Sequence, residues 1–392
     1  MSMEHTDVMI LGAGAAGLMA AIAAGRRGRR VIVLDHARQA GPKILISGGG
    51  RCNFTNLHCE PDRFLSANPH FCKSALARYT PHDFLALVEK HGIAWHEKTL
   101  GQLFCDGSAR QIVAMLLAEC EVAGVSVRLN TCIGDVTKSS AFRVETDRGS
   151  IESPNLVLAT GGLSIPKMSA TGLTHDVARR FGLRLTEIRP GLVPITLGDT
   201  ELARVPNLSG VSQTVIARIG KRAFREAMLF THRGISGPAI LQISSYWRDS
   251  EPLAIDLLPD EGVDFLQHRK RARPKVSLRT VLSDVMAQRL ASAFLPAPLQ
   301  QTALVDIPDR ALHDLAMTLK SWTITPSGTE GYAKAEVTLG GVDTAELSSR
   351  DMSVKNVPGL FIIGEAVDVT GWLGGYNFQW AWASGWCAGS AA

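Results

Sequence analysis

The chain has 392 residues, a formal net charge of +4 and a charged fraction of 20%. This length allows two or three domains, and the small net charge argues against nucleic acid or an anionic membrane as partner. Seven cysteines, an odd number without a Cys-x-x-Cys pair, argue against a disulfide framework and predict a reducing, cytoplasmic location. The absence of a Cys/His cluster or a His-Glu-x-x-His sequence predicts that no metal is bound.

The first 35 residues predict a strand, a turn, a helix and a second strand. An apolar run, Val8–Leu11, precedes Gly12-Ala13-Gly14-Ala15-Ala16-Gly17, and a helix rich in small residues continues to about Arg27. The second strand, Val31–Leu34, ends at Asp35. This spacing of glycines, helix and acidic residue is typical of a dinucleotide site.

Each part of this unit has a physical role in binding a nucleotide. Gly12 allows a tight turn, Gly14 lets a pyrophosphate approach the backbone, and Gly17 lets the helix lie close to the strand. The start of the helix offers free N–H groups to phosphates, and Asp35 accepts hydrogen bonds from a ribose. The stretch is uncharged from Val8 to Gly25, but its three glycines and acidic flank exclude a signal peptide or membrane anchor.

A second glycine-rich stretch covers residues 41–56. Three successive glycines, Gly48–Gly50, suit a loop whose backbone lies against a flat or charged ligand. Lys43 and Arg51 are candidates to neutralise a phosphate. The stretch lacks the Gly-Lys-Ser/Thr ending of a Walker A loop.

The middle of the chain predicts helices followed by a β-meander. Helical spacing covers Pro81–His91 and Ala109–Ala123, with a hairpin or irregular stretch over 95–105 between them. Strands follow over 125–146, and a short apolar strand, Asn155–Leu158, ends in Ala159-Thr160-Gly161. After a Gly-x-Gly-x-x-Gly unit, this order indicates the two-part nucleotide fold of flavin enzymes.

The composition changes near Pro190, which predicts an inserted domain. Short strands are expected over 193–197, 212–219, 227–230 and 253–257, and a charged helical part over 262–322. We therefore predict an FAD-binding domain in two parts, 1–190 and 326–392, interrupted by a β-rich and helical domain, 191–325, on the substrate side.

The C-terminal part repeats the arrangement of the N-terminus. A buried strand, Leu360–Ile363, ends in Gly364-Glu365, and Gly374-Gly375 opens a helix that continues to about Trp386. The start of this helix points to a ligand that carries negative charge, as a reduced flavin does near N1 and O2 of its ring.

These motifs resemble a family of bacterial FAD-dependent oxidoreductases that includes aminoacetone oxidase and the BaiN-type bile-acid reductases. The resemblance is carried by residues 12–17, 43–53, 159–162, 229–241 and 364–377, in the family's order. The family usually continues Asp-Gly-Tyr after Thr171-Gly172, where this chain has Leu173-Thr174-His175. For that reason a relative's substrate is not carried over to this chain.

The resemblance implies a Rossmann-like FAD-binding α/β domain with a β-meander, interrupted by an inserted β-rich domain and a helical subdomain. It implies that Val136 meets the adenine and that Glu365 and Asp368 lie along the ribityl-diphosphate. It also implies that Ser47–Asn53 and Gly374–Phe378 surround the isoalloxazine ring. The pattern and the resemblance together give these candidate cofactor-binding residues: Gly12, Gly14, Ala15, Ala16, Gly17, Asp35, His36, Lys43, Ser47, Gly48, Gly49, Gly50, Arg51, Cys52, Asn53, Val136, Ala159, Thr160, Gly161, Gly364, Glu365, Asp368, Gly374, Gly375, Asn377 and Phe378.

The predicted activity is the flavin-dependent oxidation or reduction of a small organic molecule. The chain lacks a second Gly-x-Gly-x-x-Gly unit, so we expect either direct reduction by substrate or NAD(P)H as a transient electron donor. An amine oxidase-like and an enone reductase-like reaction both remain open. His175, His232 and Tyr376 are candidate proton-transfer residues, with packing as the favoured role of each. Cys52 is interpreted as a packing residue beside the flavin.

Two other function classes are kept as alternatives. A flavin-dependent tRNA-modifying enzyme shares this nucleotide fold, and a protein that holds FAD without catalysis satisfies the same motifs. The modest charge and the lack of a basic aromatic patch count against RNA. We therefore expect a small-molecule substrate and neither a nucleic acid nor a membrane as partner, and the sequence predicts no oligomeric state.

Overall fold

The computed structural model describes residues 3–168 and 170–392. The chain divides into two compact units. Unit 1 comprises the residues up to Pro190 together with Val337–Ala392, and unit 2 comprises Gly191–Glu336. Each unit has its own sheets, which we describe separately.

The strands, numbered in chain order, are β1 (Glu4–His5), β2 (Val8–Leu11), β3 (Val31–Leu34), β4 (Asn53–Asn56), β5 (Phe64–Leu65), β6 (Trp95–Glu97), β7 (Gln102–Cys105), β8 (Ser126–Arg128), β9 (Ile133–Lys138), β10 (Phe142–Thr146), β11 (Gly149–Ser153), β12 (Asn155–Leu158), β13 (Arg189–Gly191), β14 (Ile195–Thr196), β15 (Ser212–Ile219), β16 (Arg222–Phe230), β17 (Gly234–Ser236), β18 (Leu253–Asp256), β19 (Trp322–Ile324), β20 (Gly328–Thr329), β21 (Val337–Leu339), β22 (Leu360–Ile362) and β23 (Thr370–Gly371).

The α-helices are α1 (Ala15–Gly25), α2 (Pro42–Ile46), α3 (Lys73–Arg78), α4 (Pro81–Lys90), α5 (Ala109–Val122), α6 (Leu173–Arg180), α7 (Asp199–Arg204), α8 (Pro238–Ser244), α9 (Phe265–Ala272), α10 (Leu278–Ser283), α11 (Gln288–Phe294), α12 (Asp309–Lys320) and α13 (Tyr376–Gly389). Among the described residues, none of these helices combines the length and apolar character that a bilayer crossing requires.

A five-stranded parallel sheet forms the centre of unit 1, in the order β22-β12-β2-β3-β8. The side chains of β2, β3 and β22 are all buried. A parallel sheet covered on both faces selects such continuous apolar runs, which is why the sequence shows them without polar alternation. The β-meander forms a separate four-stranded sheet, in the order β1-β11-β10-β9. The predicted Rossmann-like α/β fold with a β-meander is thereby confirmed.

The first and last helices of the chain pack closely against each other in unit 1. A Cβ added to Gly385 of α13 would lie 2.4 Å from the Ala16 oxygen of α1, and one added to Gly389 would lie 2.1 Å from the Ala20 oxygen. Side chains at these positions would force the two backbones apart. The glycines of α13 therefore let this helix pack directly onto α1.

Unit 2 is built on a seven-stranded sheet in the order β19-β18-β15-β16-β17-β14-β20. β20 pairs with β14 through Ile195↔Thr329 and Thr196↔Gly328. Residues 326–336, which the sequence analysis assigned to the second FAD-binding part, therefore lie in unit 2. The predicted strand over 227–230 starts earlier, at Arg222, because pairing along the whole of β15 holds this polar stretch in the sheet.

A buried carboxylate ties three helices of unit 1 together. Glu119 of α5, with a side chain 3% exposed, accepts hydrogen bonds from Arg26, from Lys90 Nζ at 2.7 Å and from His91 Nε2 at 2.6 Å. Burial raises the pKa of Glu119, but these hydrogen bonds together outweigh burial and lower the pKa from 4.5 to about 2. The carboxylate is therefore charged at neutral pH and stabilises the fold.

We expect Glu119→Gln to lower the free energy of unfolding by about 3 kcal/mol at pH 7, since a pKa shift of one unit corresponds to about 1.4 kcal/mol. The lowered pKa gives stability that is present above pH 4.5 and is lost as the pH falls through about 2. The gap between wild type and variant should therefore close over that interval. Urea unfolding at several pH values measures this gap, and a gap independent of pH would contradict the assignment.

Candidate functional site

Two of the three glycines in the turn between β2 and α1, Gly12 and Gly17, leave no space for a larger residue. Gly12 has φ +111°, and a Cβ there would lie 2.4 Å from the Ala159 oxygen. A Cβ on Gly17 would lie 1.9 Å from the Gly12 oxygen. By contrast, a Cβ on Gly14 would meet nothing within 4 Å. The backbone is thus tightly packed behind the turn and open in front of it.

The N-terminus of α1 has the features of an anion-binding site. Its N-cap is Gly14, which makes no side-chain capping hydrogen bond. The first N–H groups of an α-helix have no partner within the helix and carry the positive end of its dipole. Together with the open space at Gly14, these donors fit a diphosphate, as the sequence analysis expects for Gly14, Ala15 and Ala16.

Asp35, at the end of β3, holds the glycine turn in place. Its Oδ2 accepts a hydrogen bond from Ala13 N at 2.7 Å, and its Oδ1 accepts one from Ala37 N at 2.8 Å. Each carboxylate oxygen has more than one acceptor site, so both can still accept a ribose hydroxyl. His36 Nδ1 lies 3.6 Å from Asp35 Oδ1. Val136, the predicted adenine contact, is buried on β9 opposite Val144.

Lys43 and Glu365 meet in a hydrogen-bonded cluster. Lys43 Nζ lies 2.6 Å from Glu365 Oε2 and 2.6 Å from Ser164 Oγ. Ser164 Oγ and Thr338 N donate to Glu365 Oε1 at 2.7 and 2.9 Å. The Lys43 ammonium, which we expected to neutralise a phosphate, thus neutralises a carboxylate in this structure.

Glu365 is held in its charged form by this cluster. Burial raises the pKa of Glu365, but the Lys43 charge and the hydrogen bonds from Lys43, Ser164 and Thr338 together lower it. The carboxylate lies beside the end of β12, since a Cβ on Gly162 would be 2.8 Å from Glu365 Oε1. Sequence reasoning missed Ser164 and Thr338, because neither lies in a recognisable motif.

The second glycine-rich stretch is partly helical, which corrects the prediction of a loop. α2 begins at Pro42, since proline suits the first turn of a helix, and only Ser47–Gly50 forms the irregular turn. Gly48, Gly49 and Gly50 have φ values of +56°, +66° and +86°. A Cβ on Gly49 would meet nothing within 4 Å, so this backbone is open to a ligand.

The residues after this turn differ in accessibility. Arg51 is exposed, whereas Cys52 is fully buried. Burial raises the pKa of the Cys52 thiol, which keeps it protonated and gives no reactive thiolate. The side-chain amides of Asn53 and Gln102 contact each other at 3.1 Å.

The turn before α13 mirrors the turn before α1. Gly375 has φ +97°, and a Cβ there would lie 2.4 Å from the Thr55 oxygen. Asn377 closes the turn: its Oδ1 accepts from Gly371 N at 2.8 Å and its Nδ2 donates to the Gly371 oxygen at 2.9 Å. Phe378 is half-buried and stacks on Trp382, with ring centroids 5.7 Å apart.

Three predicted residues near these turns are enclosed. Asp368 accepts a hydrogen bond from Ala67 N at 2.9 Å, and burial raises its pKa. His175 is 1% exposed, with Nε2 3.3 Å from the Ala366 oxygen, and burial lowers its pKa. Burial raises the pKa of Tyr376 to about 12. His175 is therefore neutral and Tyr376 protonated at neutral pH.

The candidate proton-transfer residue His232 and the candidate cofactor-binding residues lie in different units. His232 is exposed in unit 2, whereas every predicted cofactor-binding residue lies in unit 1. Ala159, Thr160 and Gly161 follow β12, the parallel neighbour of β2, and Gly364 follows β22, which pairs in parallel with β12. Both segments therefore lie at the carboxyl end of the sheet. Ligands bind at this edge of open α/β sheets. Within 3–168 and 170–392, no group of His, Cys, Asp or Glu side chains is arranged to hold a metal.

Comparison with known proteins agrees with this geometry. Residues 6–391 match the family described as HI0933-like protein Rossmann domain. The chain is 52% identical to the ribosomal RNA dihydrouridine synthase of Escherichia coli K12, over 98% of both chains. It is 28% identical to the 3-dehydro-bile acid delta(4,6)-reductase of Clostridium scindens, again over 98% of both.

One solved structure shares the fold over nearly the full length. The 3-ketosteroid-delta4-(5alpha)-dehydrogenase from Rhodococcus jostii aligns with a TM-score of 0.53 and 15% identity, over 99% of this chain and 96% of the other. The open helix start, the Asp35 carboxylate and the left-handed glycines fit FAD, and FAD is the cofactor of this protein. The chain belongs to the HI0933-like Rossmann family of FAD-binding oxidoreductases.

Proposed function

We propose that this protein is an FAD-dependent reductase that converts uridine in ribosomal RNA to dihydrouridine. The observation that supports this proposal is the full-length similarity to proteins of that name, 52% in Escherichia coli and 45% in Haemophilus influenzae. In both comparisons 98% of each chain is covered. The identity to the bile-acid reductase, 28% over the same share of the chain, is far lower.

The chemistry of the two kinds of relative is closely related. Dihydrouridine forms when the C5–C6 double bond of uracil, which is conjugated to the C4 carbonyl, gains two electrons and two protons. The name of the Clostridium scindens relative also denotes reduction of double bonds in a 3-dehydro compound. A reductase of electron-poor double bonds is therefore favoured over an amine oxidase.

The residues of unit 1 have separate roles in this proposal. When bound, FAD supplies hydride transfer to an electron-poor double bond, and we propose NAD(P)H as the source of the electrons. The N–H groups at the start of α1 bind the diphosphate, and Asp35 binds ribose hydroxyls while it holds the glycine turn. Lys43 keeps the neighbouring Glu365 charged and fixed in position.

This proposal includes an RNA partner, which the sequence analysis did not expect. The expectation that no nucleic acid is bound was based on the net charge of +4 and on the lack of a basic aromatic patch in the sequence. Net charge describes the whole chain, whereas RNA contacts depend on local groups of cations. A nearly neutral protein satisfies the proposal if it carries one such group on an accessible surface.

Complementation tests the proposed function. The chain is expressed in an Escherichia coli strain that lacks its own relative, and dihydrouridine in purified ribosomal RNA is measured by mass spectrometry of nucleosides. We expect the chain to restore dihydrouridine and the empty vector to leave it absent. The matched control is Gly14→Glu, which places a carboxylate in the open space before α1 and should abolish both FAD binding and dihydrouridine.

A folded, yellow wild-type protein that restores no dihydrouridine would contradict the proposal. Purified protein should then be tested for NADPH oxidation with a 3-oxo steroid that carries a conjugated double bond. Turnover of such a compound, without modification of RNA, would indicate that the substrate is a small enone and not RNA.

A further inference from the structure

A β-hairpin in unit 2 ends in a group of exposed cations. β15 and β16 pair over their full length, from Ser212↔Leu229 to Ile219↔Arg222, and a two-residue turn joins them. Arg218, Lys221 and Arg222 are exposed at this end. From Ser212 to Arg225 the hairpin contains no acidic residue. Three cations within five residues therefore lie at one end of a regular element.

These cations have no carboxylate partner among the residues that the structure describes. Arg218 lies opposite Ala223 on β16 and Ala254 on β18, and alanine side chains are too short to cover it. Two acids near the hairpin, Asp256 of β18 and Asp260 beyond that strand, are already neutralised, and Glu226 of β16 accepts a hydrogen bond from Gln242. Asp260 pairs with Arg225, and Asp256 pairs with Lys320 at 2.9 Å.

Arg222 is held by an aromatic ring. Its guanidinium carbon lies 5.3 Å from the centroid of the Tyr246 ring. Stacking on an aromatic face leaves the edge of the planar guanidinium free to donate to a phosphate. The ring also restricts the side chain before binding, so less conformational entropy is lost when a ligand is bound.

The basic run near the N-terminus differs from the hairpin tip because Arg26, Arg27 and Arg30 have partners within the fold. Arg26 binds Glu119, Arg30 binds Asp7, and Arg27 donates to main-chain oxygens of α13 and of the last residue. These cations hold the fold together and have fewer donors left for a ligand.

Three cations of α9 and the following residue are paired in a similar way, whereas Arg271 of α9 has no carboxylate partner among the described residues. Lys270 and Arg273 bind Asp309 and Asp284 at 2.8 and 2.5 Å, and Arg269 lies 3.5 Å from Glu261. The denser basic sequence is thus largely neutralised in the fold, whereas the shorter one at the hairpin tip is not.

We propose that the tip of the β15–β16 hairpin binds the phosphate backbone of the RNA substrate. This inference depends on the proposed function for the identity of the polyanion. Arg218, Lys221 and Arg222 supply charge and donors without an aromatic platform for bases, which fits contact with phosphates and not a reading of sequence. The hairpin thereby gives affinity, and the selection of the uridine is left to other residues.

The test is binding of deproteinised ribosomal RNA, measured by filter retention at several salt concentrations. Because each lost phosphate contact reduces the slope of log K against log salt by about 0.7–0.9, R218Q/K221Q/R222Q should lower the slope by about 2–3. The affinity of this variant for RNA at about 0.1 M salt should fall by a factor between about ten and about a hundred. FAD content and melting temperature should stay at the wild-type values.

A matched variant tests whether the loss of binding is specific to the hairpin or follows from the loss of any three positive charges. R271Q/K275Q/R279Q removes three other cations of unit 2 that have no carboxylate partner in the described structure. We expect it to change affinity less than about twofold. An equal loss in both variants, or wild-type binding by the hairpin variant, would overturn the proposal.

Two further measurements keep the outcomes distinct. R218Q/K221Q leaves Arg222 on Tyr246, so it should keep the fold even if the triple variant is unstable. It should show about two thirds of the slope change expected for the triple variant. Dihydrouridine formation by the wild-type protein tests the proposed function separately. If the wild type modifies ribosomal RNA while hairpin variants bind it normally, only the hairpin proposal fails; if the wild type neither binds nor modifies it, both fail.

Discussion

Gly17→Ala will yield protein that has lost its FAD together with about 3 kcal/mol of stability. The added Cβ would lie 1.9 Å from the Gly12 oxygen and 3.2 Å from Ala159 Cβ. The first of these neighbours is backbone at a turn with φ +111°, so no change of rotamer relieves the clash. Overpacking of this kind costs about 1–3 kcal/mol, and more where backbone must shift.

The loss of FAD follows from the same displacement. If the start of α1 moves away from β2, its N–H groups no longer converge with the turn that precedes them, and the anion site is lost. The flavin absorbance per protein and the midpoint of urea unfolding measure the two effects. Retention of full flavin absorbance with an unchanged midpoint would show that the turn adapts.

Gly14→Ala is the matched control for this prediction. The Cβ there meets nothing within 4 Å, and Gly14 has φ −85°, which alanine adopts freely. Alanine is a poorer N-cap than glycine, at a cost of about 0.5–1 kcal/mol. We therefore expect an unfolding midpoint lowered much less than in Gly17→Ala, and weaker FAD binding because the methyl group occupies the space in front of the helix.

Lys43→Met will destabilise unit 1 by about 2 kcal/mol at neutral pH. The substitution leaves the Glu365 carboxylate, whose side chain is only 20% exposed, without its cation. Removing one partner of a fully buried pair costs about 3–5 kcal/mol, and the partial exposure of both side chains reduces this figure. Ser164 and Thr338 still donate to the carboxylate and limit the loss.

The direction of the Glu365 pKa shift determines how the stability loss in Lys43→Met depends on pH. The pKa of Glu365 is lowered in the folded protein, so its ionisation contributes stability that is present above about pH 4.5 and is lost at lower pH. The difference between wild type and Lys43→Met should therefore shrink as the pH falls below that value. Urea unfolding at neutral and acidic pH measures it.

A double-mutant cycle with Glu365→Gln provides the control. If the two side chains interact as the 2.6 Å distance indicates, K43M/E365Q will lose less than the sum of the single variants by about 1–2 kcal/mol. Strict additivity would contradict a direct interaction. Lys43→Arg, which keeps the charge, should retain most of the stability.

The parts of the fold that sequence reasoning predicted well are those with local causes. The strand Val8–Leu11, the helix that begins at Ala15 and the strand Val31–Leu34 follow from apolar runs and glycine spacing, and they agree with the structure to within two residues. The start of α8 at Pro238 follows from the preference of proline for the first helical turn.

The parts that it missed depend on contacts between distant residues. Three glycines led us to treat the whole of 41–56 as a loop, although Pro42 starts a helix. Ser164 and Thr338 become site residues only because β12, β21 and β22 bring them to Glu365. The polar start of β16 has no apolar alternation of its own and depends on pairing with β15.

The close packing of α1 on α13 has a consequence for biosynthesis. During translation α1, Ala15–Gly25, emerges long before α13, Tyr376–Gly389, which packs on it. Until α13 emerges, one face of α1, whose residues from Ala16 to Gly25 are all buried in the finished protein, lacks the helix that packs on it. The nascent chain therefore exposes this face of α1 until residues 376–389 have left the ribosome.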